Sequence, residues 1–243
     1  MGSWLPLESN PEVLNPFARR LGLPEDWAFT DVFGLDEELL MMVPQPCAAL
    51  CLLYPSEKIS KPRRQEFQVK AAAQPPPPAD LFFCMQHDGF GNACGTIACV
   101  HAVANAALAG SFTLADSGVL RGFVEGAKAL PSASDRGHKL LEAKELQTLS
   151  DATAAAGETE GAGTDDAQGQ HFIAFVNFQG MLYELDGRNF DHDAEGGEAQ
   201  PVCHGATSAE TFLVDAAKVI KDEFMKRDQA SINFNVVALS KVD

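Results

Sequence analysis

The chain has 243 residues, 46% hydrophobic and 21% charged, proportions that exclude wholesale disorder or a low-complexity chain and fit one domain, two at most. Eighteen Lys and Arg stand against thirty-four Asp and Glu, a formal net charge of −16 whose field repels a phosphate backbone or an anionic lipid surface and attracts a basic polypeptide. Nucleic acid and membrane are thereby set aside as partners. No uncharged apolar run reaches the roughly 18 residues of a membrane span, and the first residues lack the charged-then-apolar pattern of a signal peptide, so a soluble, cytoplasmic protein is expected. The cysteines at 47, 51, 84, 94, 99 and 203 are too unevenly placed for a disulfide framework and are expected to be free thiols.

Taken in chain order, Asn10-Pro11-Glu12 joins a cap residue to a first-turn proline, and Val13, Phe17 and Leu21 recur at helical spacing, which predicts an amphipathic helix. Residues 27–33 alternate as a short strand, 36–42 read as a short helix, and 46–54 as a buried strand. Residues 56–80 turn to Lys, Arg and Gln and then to the run Pro75 to Pro78, which favours polyproline geometry and reads as a surface excursion. Residues 81–85 are strand-like. After a Gly-rich turn, residues 93–108 are small and apolar on nearly every face, as in a helix at the middle of a domain. Helical stretches at about 117–130 and 135–149 precede residues 150–170, which are rich in Ala, Gly, Thr and acids without Lys or Arg and predict a mobile loop. Strands at 171–178 and 181–185 are joined by Gln179-Gly180. A polar loop, a helix at about 208–227 and a last strand at 232–239 complete a single α+β (mixed α/β) domain over 1–243.

Asn92-Ala93-Cys94-Gly95 opens the apolar helix, with Asn92 as its expected cap and Cys94 in the first turn. Unpaired backbone N–H groups and the helix dipole favour a thiolate there. Cys94 is therefore the candidate nucleophile and its own N–H a candidate oxyanion donor, while Gly89, Gly91 and Gly95 allow a substrate backbone to approach; the alternative is a buried cysteine at a Gly-flanked helix start. If Gln179-Gly180 is the turn, cross-strand partners sum to 359. Asp186 then lies opposite Ile173 and is a diagonal neighbour of His171, at roughly 7–8 Å between backbones, within reach of an imidazole and a carboxylate. That pair supplies a base and its orienter for a thiol, although each residue alone reads more readily as a strand-end histidine or as a turn aspartate capping Gly187. Gln86 is either a polar strand-end residue or a side-chain donor to the oxyanion. His101, on the same helix as Cys94, reads as a hydrogen-bonded core histidine. Cys47 with Cys51, and Cys203-His204, show no zinc-ligand spacing, so neither metal nor cofactor is expected. Glu8, Glu12 and Asp31 are solvated charges by default and would hold a basic peptide if clustered near one cleft.

The chain resembles the ubiquitin carboxyl-terminal hydrolase (UCH) family, closest to its L-three branch, through Trp4-Leu-Pro-Leu-Glu8-Ser-Asn-Pro-Glu-Val13, Asn92-Ala-Cys-Gly-Thr-Ile97, His171-Phe-Ile-Ala, Leu182-Tyr-Glu-Leu-Asp-Gly-Arg188, His204-Gly, Phe234-Asn235 and Ala238-Leu-Ser240. The resemblance implies a papain-like, knotted fold with a central antiparallel sheet flanked by helices, and a crossover loop at about 150–170 passing over the active-site cleft. It implies a thiol-dependent deubiquitinase with Cys94 as nucleophile, His171 as base, Asp186 as its orienter and Gln86 as oxyanion donor. Ubiquitin, and also a ubiquitin-like modifier, would be bound as substrate by a monomer, with Glu8, Glu12 and Asp31 facing the basic tail. A papain-like peptidase acting on unrelated peptides and a catalytically weak ubiquitin-binding module are the alternatives. One departure bears on the site: the family usually places five residues between the oxyanion Gln and the Cys, whereas seven, His87 to Ala93, stand here.

Overall fold

The computed structural model describes residues 3–71, 74–157, 169–190 and 197–242. In it the strand-like runs form one antiparallel sheet from β1 (Trp27–Asp31), β2 (Cys47–Pro55), β3 (Gln170–Phe178), β4 (Met181–Leu185), β5 (Val202–Ala206) and β6 (Asn235–Lys241), in the spatial order β1-β6-β2-β3-β4-β5. The central strands β2 and β3 are apolar almost throughout because both faces of the sheet are covered. Phe172, Ala174, Val176 and Phe178 of β3 join one core and Ile173 and Phe175 the other, the period of two that a pleated strand imposes. The first core is filled by α1 (Pro11–Leu21) and α4 (Cys94–Leu108), together with parts of α5 (Leu120–Lys128), α6 (Ala133–Leu141) and α7 (Lys144–Ala155); the second by α2 (Glu37–Leu40) and α8 (Phe212–Val219).

α1 begins as its sequence dictates: the Asn10 side chain accepts the Glu12 N–H at 2.8 Å, and the helix ends at Gly22, whose φ of 110° only glycine adopts readily. Elsewhere the tertiary structure overrides local pattern. The excursion expected after Ser56 is a helix, α3 (Ser56–Ala71), with Pro62 inside it. It has little apolar stripe of its own and is held by buried Ile59 and by ion pairs to distant elements, Arg63 with Glu184 and Arg227 with Glu66. The helix expected over 135–149 divides into α6 and α7 at Ala143, whose ψ of 75° leaves the helical region. β5 escaped the sequence reading because it is a short edge strand with a register shift and Gly205 at φ 107°. The last helix passes from α8 into a π-type turn over Ile220–Phe224. Of the loop expected over 150–170, the first residues belong to α7, and 158–168 lie outside the described residues.

Residues 81–85, expected as a strand, are buried but join no ladder. Their backbone groups are paired instead by side chains of α4 and by two groups of α6, the Arg136 side chain on Phe83 O and the Ala133 carbonyl on Met85 N–H. Phe82 N–H donates to Asn105 Oδ1 at 2.8 Å, Asn105 Nδ2 returns a bond to Phe82 O at 2.8 Å, and Cys84 N–H donates to His101 Nε2 at 3.1 Å. The same Nδ2 also donates to the His101 carbonyl at 2.8 Å. Asn105→Ala would strand both polar groups of Phe82 away from water, and a loss of roughly 2–4 kcal/mol in unfolding free energy is expected by denaturant titration; a change under about 0.5 kcal/mol would show that water replaces the amide.

Candidate active site

All six strands meet one rim of the sheet. β1, β2 and β4 end there at Asp31, Pro55 and Leu185, and β3, β5 and β6 start there at Gln170, Val202 and Asn235, as the pairings Asp31↔Val237, Leu53↔Asn235, Tyr54↔His171, Ala174↔Leu185 and Glu184↔Val202 require. The amino terminus of α4 reaches the same rim. Gly95 permits this, since a Cβ there would sit 3.1 Å from Leu7 Cβ and 3.4 Å from the Phe172 ring. Ala93, not Asn92, occupies the cap position, and no side chain caps the helix, so first-turn N–H groups around Cys94 have no side-chain partner.

The β3–β4 hairpin has the expected register, from Phe178↔Met181 to Ala174↔Leu185, with Gln179 at φ 52° and Gly180 at φ 76°, the left-handed pair of a type I′ turn. Pairing stops there, before Ile173 and His171 gain partners on β4. Asp186, one residue past the ladder, is free to turn, and its Oδ1 lies 2.6 Å from His171 Nε2, with both residues 4% exposed. The same oxygen accepts the Arg188 N–H at 2.8 Å. Nε2–H is thus committed to the carboxylate, which leaves the buried Nδ1 as the imidazole nitrogen available to the Cys94 thiol beside it. The Tyr54 ring lies edge-on to the imidazole at 5.8 Å between centroids.

Burial alone would push the Cys94 thiol up, but the hydrogen bond and charge of His171, the Phe172 N–H and the Arg188 guanidinium outweigh it and hold the thiol below its ordinary value. For His171, burial opposes the charged form, and the Asp186 carboxylate together with Cys94 overcomes it, raising the imidazole to about 9. Asp186, despite burial, is held down by His171 and by the Arg188 N–H. All three shifts favour a resting thiolate and imidazolium. A second Cys–His pair shows that residue types are not enough: Cys84 Sγ lies 3.4 Å from His101 Nε2, yet burial pushes that thiol to about 12 and that imidazole down to about 4. The Cys84–His101 pair has no carboxylate on its histidine and stays neutral, as the expected core histidine should.

Gln86 reaches the same place by its backbone. Its N–H donates to the Gly187 carbonyl at 2.8 Å, one residue past Asp186, and its side chain is buried with Nε2 donating to Gly91 O at 3.2 Å. The structure therefore brings Cys94, His171 and Asp186 together and sets Gln86 beside them. The acids lie on the β1 side of the rim. Glu8 follows Leu7 and is half-buried, Glu12 is exposed in the first turn of α1, and Asp31 is exposed at the end of β1. Two features escaped the sequence reading. Arg188 contributes its charge to the thiol and its N–H to Asp186, and the only signal for it was its place two residues after the aspartate. Glu184 is fully buried, takes Arg63 at 2.8 and 2.7 Å and His204 at 2.8 Å, and is held down to about 2 by these partners despite its burial. Only the alternation of β4 hinted that this acid faces inward. Among the described residues no group of three or more His, Cys, Asp or Glu is arranged to hold a metal ion, and no helix is long and apolar enough to cross a membrane.

The family model described as ubiquitin carboxyl-terminal hydrolase, family 1, matches residues 4–226. The chain belongs to this family. This UCH chain is 41% identical over 241 residues to a ubiquitin carboxyl-terminal hydrolase of Drosophila melanogaster, covering 99% of this chain and 98% of that one. It is 39% identical over 238 residues to human ubiquitin carboxyl-terminal hydrolase isozyme L1, covering 97% of each. Its fold matches the catalytic domain of Trichinella spiralis UCH37 bound to ubiquitin vinyl methyl ester with a TM-score of 0.70 at 20% identity, over 99% of this chain and 96% of that one. As a member of the UCH family it is a thiol-dependent ubiquitin hydrolase.

Proposed function

We propose that this chain cleaves the bond after the carboxyl-terminal glycine of ubiquitin, with Cys94 as nucleophile, His171 as acid and base, Asp186 as the group that orients His171, and Gln86 with the Cys94 N–H as oxyanion donors. The observation that carries the reading is the 2.6 Å bond from His171 Nε2 to Asp186, which leaves Nδ1 for the thiol. The thiolate attacks the glycine carbonyl carbon, and the developing oxyanion is met by the two donors. His171 gives its Nδ1 proton to the leaving amine as the C–N bond breaks and a thioester remains. It then takes a proton from water, whose attack releases the ubiquitin carboxylate and restores the thiolate. Glu8, Glu12 and Asp31 face the basic surface of the substrate, in keeping with the net charge of −16. A ubiquitin-like modifier with a similar tail is a second substrate under this reading. Because one chain supplies every group, it acts as a monomer, and its six free cysteines suit the reducing cytoplasm.

A ubiquitin probe with an electrophilic carboxyl terminus tests the assignment. Labelling of the intact protein that disappears in Cys94→Ala supports it; ubiquitin binding without labelling would instead indicate a non-catalytic binding module. Gln86→Ala is expected to slow hydrolysis of a ubiquitin-amide substrate by roughly 10²-fold with little change in KM. An unchanged rate would move the donor role to another group.

A further inference from the structure

Seven residues, His87 to Ala93, separate Gln86 from Cys94, and the loop is tied down on both sides. At its start His87 Nε2 lies 2.9 Å from the Ser134 carbonyl, and the His87 ring lies 3.8 Å from that of His138 on α6. At its end Phe90 is fully buried against Trp4, at 5.5 Å between centroids. Trp4 N–H also donates to Phe90 O at 2.9 Å, in a parallel bridge to Gly91. Between these ties Gly91 takes φ 65° and ψ −122°, a conformation that belongs to glycine, and a Cβ there would lie 1.8 Å from Ser3 Oγ and 3.0 Å from Ser3 Cβ. The consequence is the direction of one carbonyl: Gly91 O accepts Gln86 Nε2 at 3.2 Å.

A primary amide carries two N–H donors. With one of them on Gly91 O, the plane of the Gln86 amide is set and the second N–H has a defined direction. An unanchored glutamine must instead give up rotamer freedom at the moment of reaction. We propose that Gly91 is a positioning residue for hydrolysis: the loop, pinned by Trp4 and His87, presents the Gly91 carbonyl that holds the Gln86 amide in place for the oxyanion. This rests on the reading of Gln86 as oxyanion donor.

Gly91→Ala forces the backbone out of its conformation and turns the carbonyl away. For a ubiquitin-amide substrate kcat is expected to fall about 10-fold or more, with KM kept within about twofold. Alkylation of Cys94 by iodoacetamide should keep its rate, because displacement at a saturated carbon forms no oxyanion and reads only the Cys94–His171 pair. The double variant Gln86→Ala/Gly91→Ala should be no slower than Gln86→Ala alone, since one effect acts through the other. Full additivity, or an unchanged kcat in Gly91→Ala, overturns the proposal, whereas an unchanged kcat in Gln86→Ala overturns the donor reading beneath it. Ser3→Gly/Gly91→Ala removes the collision with Ser3 and leaves only the backbone strain, which guards against loss of fold; the same kcat loss is expected. In the unsubstituted protein the Gln86 side-chain protons, assigned by their disappearance in Gln86→Ala, should include one protected from exchange, and exchange as fast as in an exposed glutamine overturns the proposal without any variant at position 91.

Discussion

Cys94→Ala is expected to reduce hydrolysis of a ubiquitin-amide substrate by at least about 10⁴-fold while ubiquitin affinity stays within a few-fold of the parent. The loss is large because no other thiol can substitute. Cys47 and Cys84 are pushed to about 12 by burial, Cys51 and Cys99 are raised as well, and the remaining cysteine, Cys203, lies on β5 at the far edge of the sheet order from β1. Binding should survive because, under the proposed reading, Glu8, Glu12 and Asp31 meet the basic surface of the substrate, and a methyl in place of a thiol disturbs none of them. Cys84→Ala, which removes the other Cys–His pair, should leave kcat unchanged apart from any cost in stability. The pair of measurements is kcat/KM on the amide substrate and Kd by titration calorimetry. Substantial turnover in Cys94→Ala would assign the chemistry to a different group.

His171→Ala should be the second most damaging change, and pH profiles reveal why. With the thiol lowered and the imidazole raised to about 9, the thiolate–imidazolium pair occupies the interval between the two, so kcat/KM rises with pH as Cys94 loses its proton and falls again near 9 as His171 loses the proton owed to the leaving amine. Iodoacetamide alkylation, which needs only the thiolate, should follow the acid limb and persist beyond the alkaline one. Removing the imidazole takes away the largest influences that lower the thiol, so in His171→Ala alkylation shifts to alkaline pH and turnover is lost. The stability linkage has a definite sign. A folded value above the ordinary 6.5 means that His171 stabilises fully below about 6.5 and loses that contribution as pH rises through about 9. Asp186, lowered from 3.8, contributes above that value and loses its contribution as pH falls below it. Near-normal turnover in His171→Ala, or an alkylation profile that does not move, would remove His171 from the role of base.

How much of this was legible beforehand follows from the range of the forces concerned. A cap, a proline and an apolar stripe within eleven residues determine α1, and Gln179-Gly180 determines the hairpin register, because both depend on neighbours along the chain. That register alone brought His171 next to Asp186. The Asn92 cap failed because the backbone at Ala93 turns into the helix one residue later than its side-chain chemistry suggests. α3 was missed for the opposite reason, since its stability resides in partners more than a hundred residues away, Glu184 and Arg227. The strand expected over 81–85 is buried backbone that joins no ladder, and the groups that satisfy it belong to helices, Asn105 and His101 of α4 and Arg136 and Ala133 of α6.

Sequence by itself therefore determined the elements whose causes are local, the excess of acid over base, and the types of residue able to do thiol chemistry. It also set Cys94, at a helix start, apart from the other cysteines and read His101 as a core histidine, but it did not reveal that Cys84 and His101 meet. What only the folded chain decided is the protonation of the two pairs, by giving one histidine a carboxylate at 2.6 Å and burying the other without one. Protonation depends on desolvation and on charges brought together in space, and neither is a property of position along the chain.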